Sequence, residues 1–249
     1  MHPPLAFLGQ QTKELMMSRN VSIRSSLPLL AMLGLVLGGC ARSELPVPEL
    51  AANAALAPVA AQFRTTVTQA GNRATSDWRY WRSDNRVQRE ELGEKTGDLW
   101  QRDGSTFFHT LLFHEDRRGI EFEQADLQMT GSATNWEQQA HIVSPVLLQK
   151  LKQVKAGWRD AVPYREYAGT VGDVRWRVRM RMDLMLPMLV EQNTAQDSLR
   201  IELVEAHPMA TAPWQPTPSE GYGVLDFADL GDNERDPFVV RVQAHMGVG

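Results

Sequence analysis

Cys40 is the only cysteine in the 249 residues, and its neighbours decide what its thiol can do. Leu37-Gly38-Gly39-Cys40 stands directly behind the apolar run from Leu27 to Leu37, and Arg19 and Arg24 lead into that run. A basic stretch, an apolar core of about a dozen residues and small residues before a cleavage point follow the order of a secretory signal. The two glycines let extended backbone enter a peptidase groove, and the thiol is the atom that a diacylglyceryl group can be attached to. Acylation consumes that thiol. Disulfides and thiolate metal sites are then excluded, so the fold stands on its core alone.

A second chemistry is written between Val174 and Leu184. Val174, Trp176, Val178, Met180, Met182 and Leu184 alternate with Arg175, Arg177, Arg179, Arg181 and Asp183. Side chains of a strand alternate faces, so one face is apolar and the other is a ladder of four guanidinium groups. The Arg row reads as a solvated face paired with acids on neighbouring strands, such as Glu166, Glu191 or Glu202. The apolar face, with two methionines beside a tryptophan, is soft enough to suit variable apolar ligands. Trp176, Val178, Met180 and Met182 are its candidate lining.

Other clusters read as structure. His109 and His114 differ by an odd number, so a regular strand points them to opposite faces, and Glu115-Asp116 falls at a turn. The acids of the segment 226–238 (Asp226, Asp229, Asp232 and Asp236) lack the alternate spacing of a calcium loop and suit turn capping. There is no Gly-x-Ser-x-Gly elbow, no His-Glu-x-x-His pair and no phosphate-cradling glycine loop. The expectation is a protein that is not an enzyme, with no cofactor and no metal.

These residues need elements to hold them. Residues 1–39 are the signal, and Met16 or Met17 as the start gives it ordinary length. Residues 40–50 are a tether, since Pro46 and Pro48 forbid a regular helix or ladder. Residues 51–249 form one domain. The alanine-rich stretch 49–70 predicts helix, started afresh at Pro58. From Asp77 the period changes to two, with strands at 77–82, 86–92, 97–103, 105–114 and 118–123, and Asp103-Gly104 as the sharpest hairpin turn. Ser144 as N-cap, Pro145 behind it and Gly157 at the far end predict a helix over 145–156, with Leu148, Leu151 and Val154 as its apolar stripe. Strands follow at 166–171, 173–184, 186–192 and 199–205, then near 222–227 and 238–243. Between them, 207–221 carries four prolines and Trp214 and reads as an extended surface loop. The fold class is therefore α+β and mainly antiparallel, an open half-barrel or strongly twisted sheet of about eleven strands with helices covering one face.

The formal charge is −4, and about −6 once residues 1–39 are removed, which argues against a nucleic-acid partner. The apolar run is short for a membrane span, so attachment falls to acyl chains on Cys40. Leu37–Cys40 resembles the lipobox of bacterial lipoproteins. No Asp follows the cysteine, and the resemblance then implies the outer membrane, with the domain facing the periplasm. An N-terminal helix, a long meander, an intervening helix and the run Met182-Asp183-Leu184-Met185-Leu186-Pro187-Met188-Leu189-Val190-Glu191 are similar to the LolA and LolB lipoprotein-carrier superfamily. That resemblance implies an unclosed barrel that cups a lipid or a lipoprotein acyl chain under helical lids. The alternative is an envelope interaction module with a filled core that docks a protein partner. Metabolic labelling with a palmitate analogue checks the anchor: wild type takes label, and Cys40→Ser takes none and stays uncleaved.

Overall fold

The computed structural model describes residues 46–49 and 56–246. Cys40, the signal, both start candidates and most of the tether lie outside the described residues.

The first strand, β1 (Val59–Gln69), occupies most of the stretch expected to be helical. Alanines there favour helix, but from Val59 onward the sequence also alternates. Val59, Ala61, Phe63 and Thr65 are buried on one face, while Gln62, Arg64 and Thr66 point the other way. A strand buries that row against neighbours on both sides, which outweighs a per-residue helix preference of a few tenths of a kcal/mol. The strands β2 (Asn72–Arg82), β3 (Arg86–Glu91), β4 (Thr96–Asp103), β5 (Thr106–Phe113) and β6 (Arg118–Phe122) continue as an antiparallel meander. Gly104 turns the β4–β5 hairpin at a φ of +57°, as Asp103-Gly104 predicted.

Three short helices, α1 (Gln124–Met129), α2 (Trp136–His141) and α3 (Pro145–Lys150), follow before the second meander. The latter consists of β7 (Lys152–Arg159), β8 (Val162–Val171), β9 (Val174–Arg181), β10 (Leu186–Asn193) and β11 (Ser198–Pro208). Pairing of β1 with β11 joins the two meanders, and β12 (Gly223–Asp226) adds in parallel to β6. The result is a twelve-stranded sheet in the order β12-β6-β5-β4-β3-β2-β1-β11-β10-β9-β8-β7, open at both ends. A helix α4 (Pro237–Met246) closes the described chain. No helix of the described residues is long and apolar enough to cross a membrane.

Two further expectations are corrected. The helix predicted over 145–156 stops at Lys150, and Leu151 is already extended at φ −95°, ψ 153°. Leu151 is buried against Gly169, where an added Cβ would sit 3.2 Å from its Cδ2. Val154, the supposed third member of the stripe, is 52% exposed on β7. Hydrogen bonding to β8 decides the conformation there. The strand expected at 238–243 is helix α4, whose Phe238, Val239 and Val242 are buried at helical spacing. Asp236 accepts from the Phe238 N–H at 2.9 Å and so starts it, with Pro237 in the first turn.

The buried side chains of the helices and of one sheet face form one cluster, and Arg82 lies within it at 0% exposure. Its guanidinium donates to the carbonyls of Ala140 at 2.7 Å, Leu184 at 2.7 Å and Ala57 at 3.1 Å. The Tyr80 hydroxyl donates to the same Ala140 carbonyl at 2.8 Å. One side chain thus ties the entry to β1, the helix α2 and the β9–β10 turn. Arg82→Met strands these carbonyls away from water, at about 1–3 kcal/mol each where no donor replaces it. A urea titration should show the midpoint falling by an amount equivalent to about 3 kcal/mol or more, with α2 the first segment to lose amide-exchange protection.

Candidate functional site

Val178 and Met180 are fully buried, Met182 is 3% exposed, and Trp176 packs partly buried against the same cluster. Strand β9 ends at Arg181, so Met182 lies in the following turn, where its N–H donates to the Pro163 carbonyl at 2.9 Å. Leu186, Val190 and Ile201 from β10 and β11 and Leu148 of α3 belong to the same cluster. The four candidate residues are brought together, among their own neighbours.

Three of the four arginines of the opposite face are paired with acids. Glu166 on β8, with its side chain 7% exposed, takes Arg177 at 2.8 Å and Arg179 at 2.7 Å, while Arg181 takes Asp183 at 2.9 Å. Burial alone lifts the Glu166 carboxyl, but hydrogen bonds from Arg179 and Arg177 outweigh it and hold the group below the ordinary glutamate value. Glu191 and Glu202 both pair with Arg200 of β11 instead.

A feature that sequence reasoning missed crosses the inner face of six strands. Phe63 stacks on Trp78 with centroids 4.6 Å apart. The Arg89 guanidinium lies over both Trp78 (5.4 Å) and Trp100 (5.9 Å). Trp100 stacks on His109 at 4.9 Å, His109 on Phe122 at 5.4 Å, and Phe122 on Phe227 at 4.8 Å. At its centre Asp98 accepts from Arg89 at 3.1 Å and bonds His109 Nε2 at 2.9 Å. Burial would raise the Asp98 carboxyl, but the Arg89 charge and the His109 hydrogen bond prevail and hold it below the ordinary aspartate value. Both faces of the His109 ring are covered, so the arrangement locks three strands rather than presenting an acid–base pair. The signal existed as an aromatic or cation on each consecutive strand, but only the register reveals that they touch.

His114 does point away from His109, and its Nδ1 lies 3.2 Å from the Tyr222 hydroxyl on the outer face. In the acidic segment Asp226 accepts from Ala228 N, Asn233 donates to the Asp229 carbonyl, and Asp236 takes Arg118 at 2.7 Å. The first two are turn and capping roles, and the third is an ion pair to β6. Among the described residues no group of three or more His, Cys, Asp or Glu is placed to hold a metal ion.

The stretch 207–221 is a strap across the outer face. Trp214 meets Trp81 edge-on at 5.6 Å, Thr217 N donates to Glu90 at 2.7 Å, and Arg86 reaches Ser219 at 3.4 Å. Between strap and sheet lies an open depression of about 220 Å³, lined by Arg86, Leu99, Thr110, Leu112, Glu121 and Val224 among others. Another, of about 500 Å³, surrounds the polar turn Gly231–Asp236. Neither includes Trp176, Val178, Met180 or Met182.

No protein-family model and no curated protein matches the chain. Among solved structures it is similar to PNGF-II, at 9% identity and a TM-score of 0.40 over 72% of this chain and 32% of that one. MucB of the Pseudomonas aeruginosa MucA/MucB complex matches at 16% identity and a TM-score of 0.32, over 60% of this chain and 51% of that one. A LolA superfamily protein from Nitrosomonas europaea matches at 6% identity and a TM-score of 0.32, over 67% of this chain and 90% of that one. The chain spans about a third of PNGF-II and about half of MucB. With every score below 0.5 these are likenesses of shape, and nothing of function passes to this chain through them.

The Asp98 cluster has a pH signature. A carboxyl held below its unfolded value contributes stability that is present above the ordinary aspartate pKa, near 4, and is lost as pH falls through the folded value. Asp98→Asn should cost about 2 kcal/mol at neutral pH, and the gap to wild type should narrow in denaturant titrations run below about pH 4.

Proposed function

We propose that this chain is a lipoprotein anchored through Cys40 in the outer membrane, whose periplasmic domain docks a protein partner and is neither an enzyme nor an acyl-chain carrier. The observation behind this is the occupied inner face. Val178 and Met180 are fully buried and Met182 nearly so, in one cluster with the helices, and Arg82 and Tyr80 fasten α2 onto it. A carrier of apolar ligands needs an unfilled apolar cavity of about 300 Å³ or more. An interior filled by its own side chains leaves recognition to the surface.

The depression under the strap suits such recognition. Leu99, Thr110 and Leu112 make a floor that is at most 6% exposed, Arg86 and Glu121 supply opposite charges beside it, and Val224 stands 51% exposed. At about 220 Å³ it takes one or two side chains, the size of the anchor residues that dominate protein interfaces.

A fluorescent fatty-acid probe separates docking from carriage. The mature protein should show no saturable binding. Met180→Arg should unfold it, because a charge at a filled position finds neither water nor a partner. Saturable binding that quenches Trp176, lost in a Met180→Arg protein that stays folded, would overturn the docking reading and restore the carrier.

A further inference from the structure

The two edges of the sheet differ. Strand β12 caps one with four residues, whereas β7 ends the other with eight, seven of them exposed. Lys150, Lys152, Lys155 and Arg159 stand along β7 and the end of α3, so three of the five lysines of the chain fall within six residues. None of these three lysines forms an ion pair among the described residues. The Lys155 ammonium lies 5.9 Å over the Tyr164 ring, and among the described residues Arg159 pairs with Asp160 at 3.8 Å with both side chains largely in solvent. On β9, by contrast, three of the four arginines (Arg177, Arg179 and Arg181) are matched by acids. Glu166, opposite Lys155 in the ladder, is already taken by two of those arginines. On the same edge Val154 is 52% and Trp158 37% exposed, and Val146 on α3 is 58% exposed. In a chain of net charge −4, this is a cationic and partly apolar rim.

The path of the chain says what this rim faces. Arg165 of β8 donates Nε to the Pro48 carbonyl and a terminal nitrogen to the Val47 carbonyl, both at 2.9 Å, and Val47 packs against the core. The tether therefore joins the domain beside the strand next to β7. Six residues lie between Cys40 and Val47, a reach of about 25 Å at most. An acyl anchor on Cys40 keeps this end of the sheet near the bilayer.

We infer that the β7 edge is a contact surface for anionic lipid headgroups, with Lys150, Lys152, Lys155 and Arg159 on the phosphates and Trp158 with Val154 at the interface. This rests on the anchoring at Cys40 and is independent of what the strap depression binds. A cation brought to an anionic surface gains about fivefold in partitioning, additively over several cations, and the gain fades with salt. Tryptophan prefers the headgroup level for its amphipathic ring. An acidic protein segment is the other occupant of suitable charge, and the tether position favours lipid.

The test uses mature lipidated protein reconstituted into vesicles of phosphatidylcholine alone or mixed with phosphatidylglycerol. Co-sedimentation with both kinds reports the anchor by itself. Amine labelling read by mass spectrometry should then show Lys150, Lys152 and Lys155 protected several-fold in the mixed vesicles only, with Lys95 unchanged as reference. High salt should remove the protection. Brominated lipid should quench Trp158 fluorescence in wild type, and the quenching should fall in Lys152→Glu/Lys155→Glu, which stays folded because both residues are exposed. Equal labelling in the two kinds of anchored vesicle would overturn the inference. Protection that appears only in native membranes would also overturn it and assign the rim to an acidic protein.

Discussion

The entry to β1, the helix α2 and the β9–β10 turn are held together through the guanidinium of Arg82. The group is wholly buried, and its partners among the described residues are three main-chain carbonyls from segments that neither precede nor follow one another closely. A buried charge without hydrogen bonds costs several kcal/mol, so the position tolerates only a geometry in which Ala57, Ala140 and Leu184 converge. That convergence sets where α2 lies, where β1 begins and where β9 turns into β10. The apolar packing around it then has one arrangement to satisfy.

The two faces of the sheet divide the labour. The inner face is apolar across β9, β10 and β11 and aromatic across β1 to β6, and the helices complete its cover. The outer face carries ion pairs such as Arg177 and Arg179 with Glu166, and the proline-rich strap is clamped over its middle by Trp214, Glu90 and Arg86. Surface ion pairs of this kind contribute little stability each, and their order serves register more than energy. What distinguishes the β7 edge is that three lysines without ion pairs among the described residues gather there beside exposed Val154 and Trp158.

Much of this was legible in the sequence where period two was unbroken. The alternation from Val174 to Met180 placed β9 and its two faces, and Asp103-Gly104 placed a hairpin. Legibility failed where local and tertiary preferences disagree. Leu148, Leu151 and Val154 have helical spacing, yet only the pairing of Lys152–Arg159 with β8 decides that the last of them leaves the helix. Asp236-Pro237 carries the same kind of start signal as Ser144-Pro145, while the β-branched Val239 and Val240 behind it favour a strand. Phe63, Trp78, Arg89, Trp100, His109 and Phe122 could not be read as one stack, because contact across a sheet depends on registers that no single strand encodes. Arg82, closing the apolar run of Trp78, Tyr80 and Trp81, resembles an ordinary strand end until its carbonyl partners are known.

The pairing of β1 with β11 has a consequence for how the molecule comes into being. Val59 faces Pro208 and Val67 faces Leu199, so the central seam of the sheet joins residues that are distant along the chain. Each meander can assemble from neighbouring hairpins, but the seam must wait for the last long strand to arrive. Until then both halves expose a full-length strand edge and half a core. A chain delivered across a membrane from its N-terminus would pass through that state every time, and the interval before the seam closes is when it is most open to wrong partners.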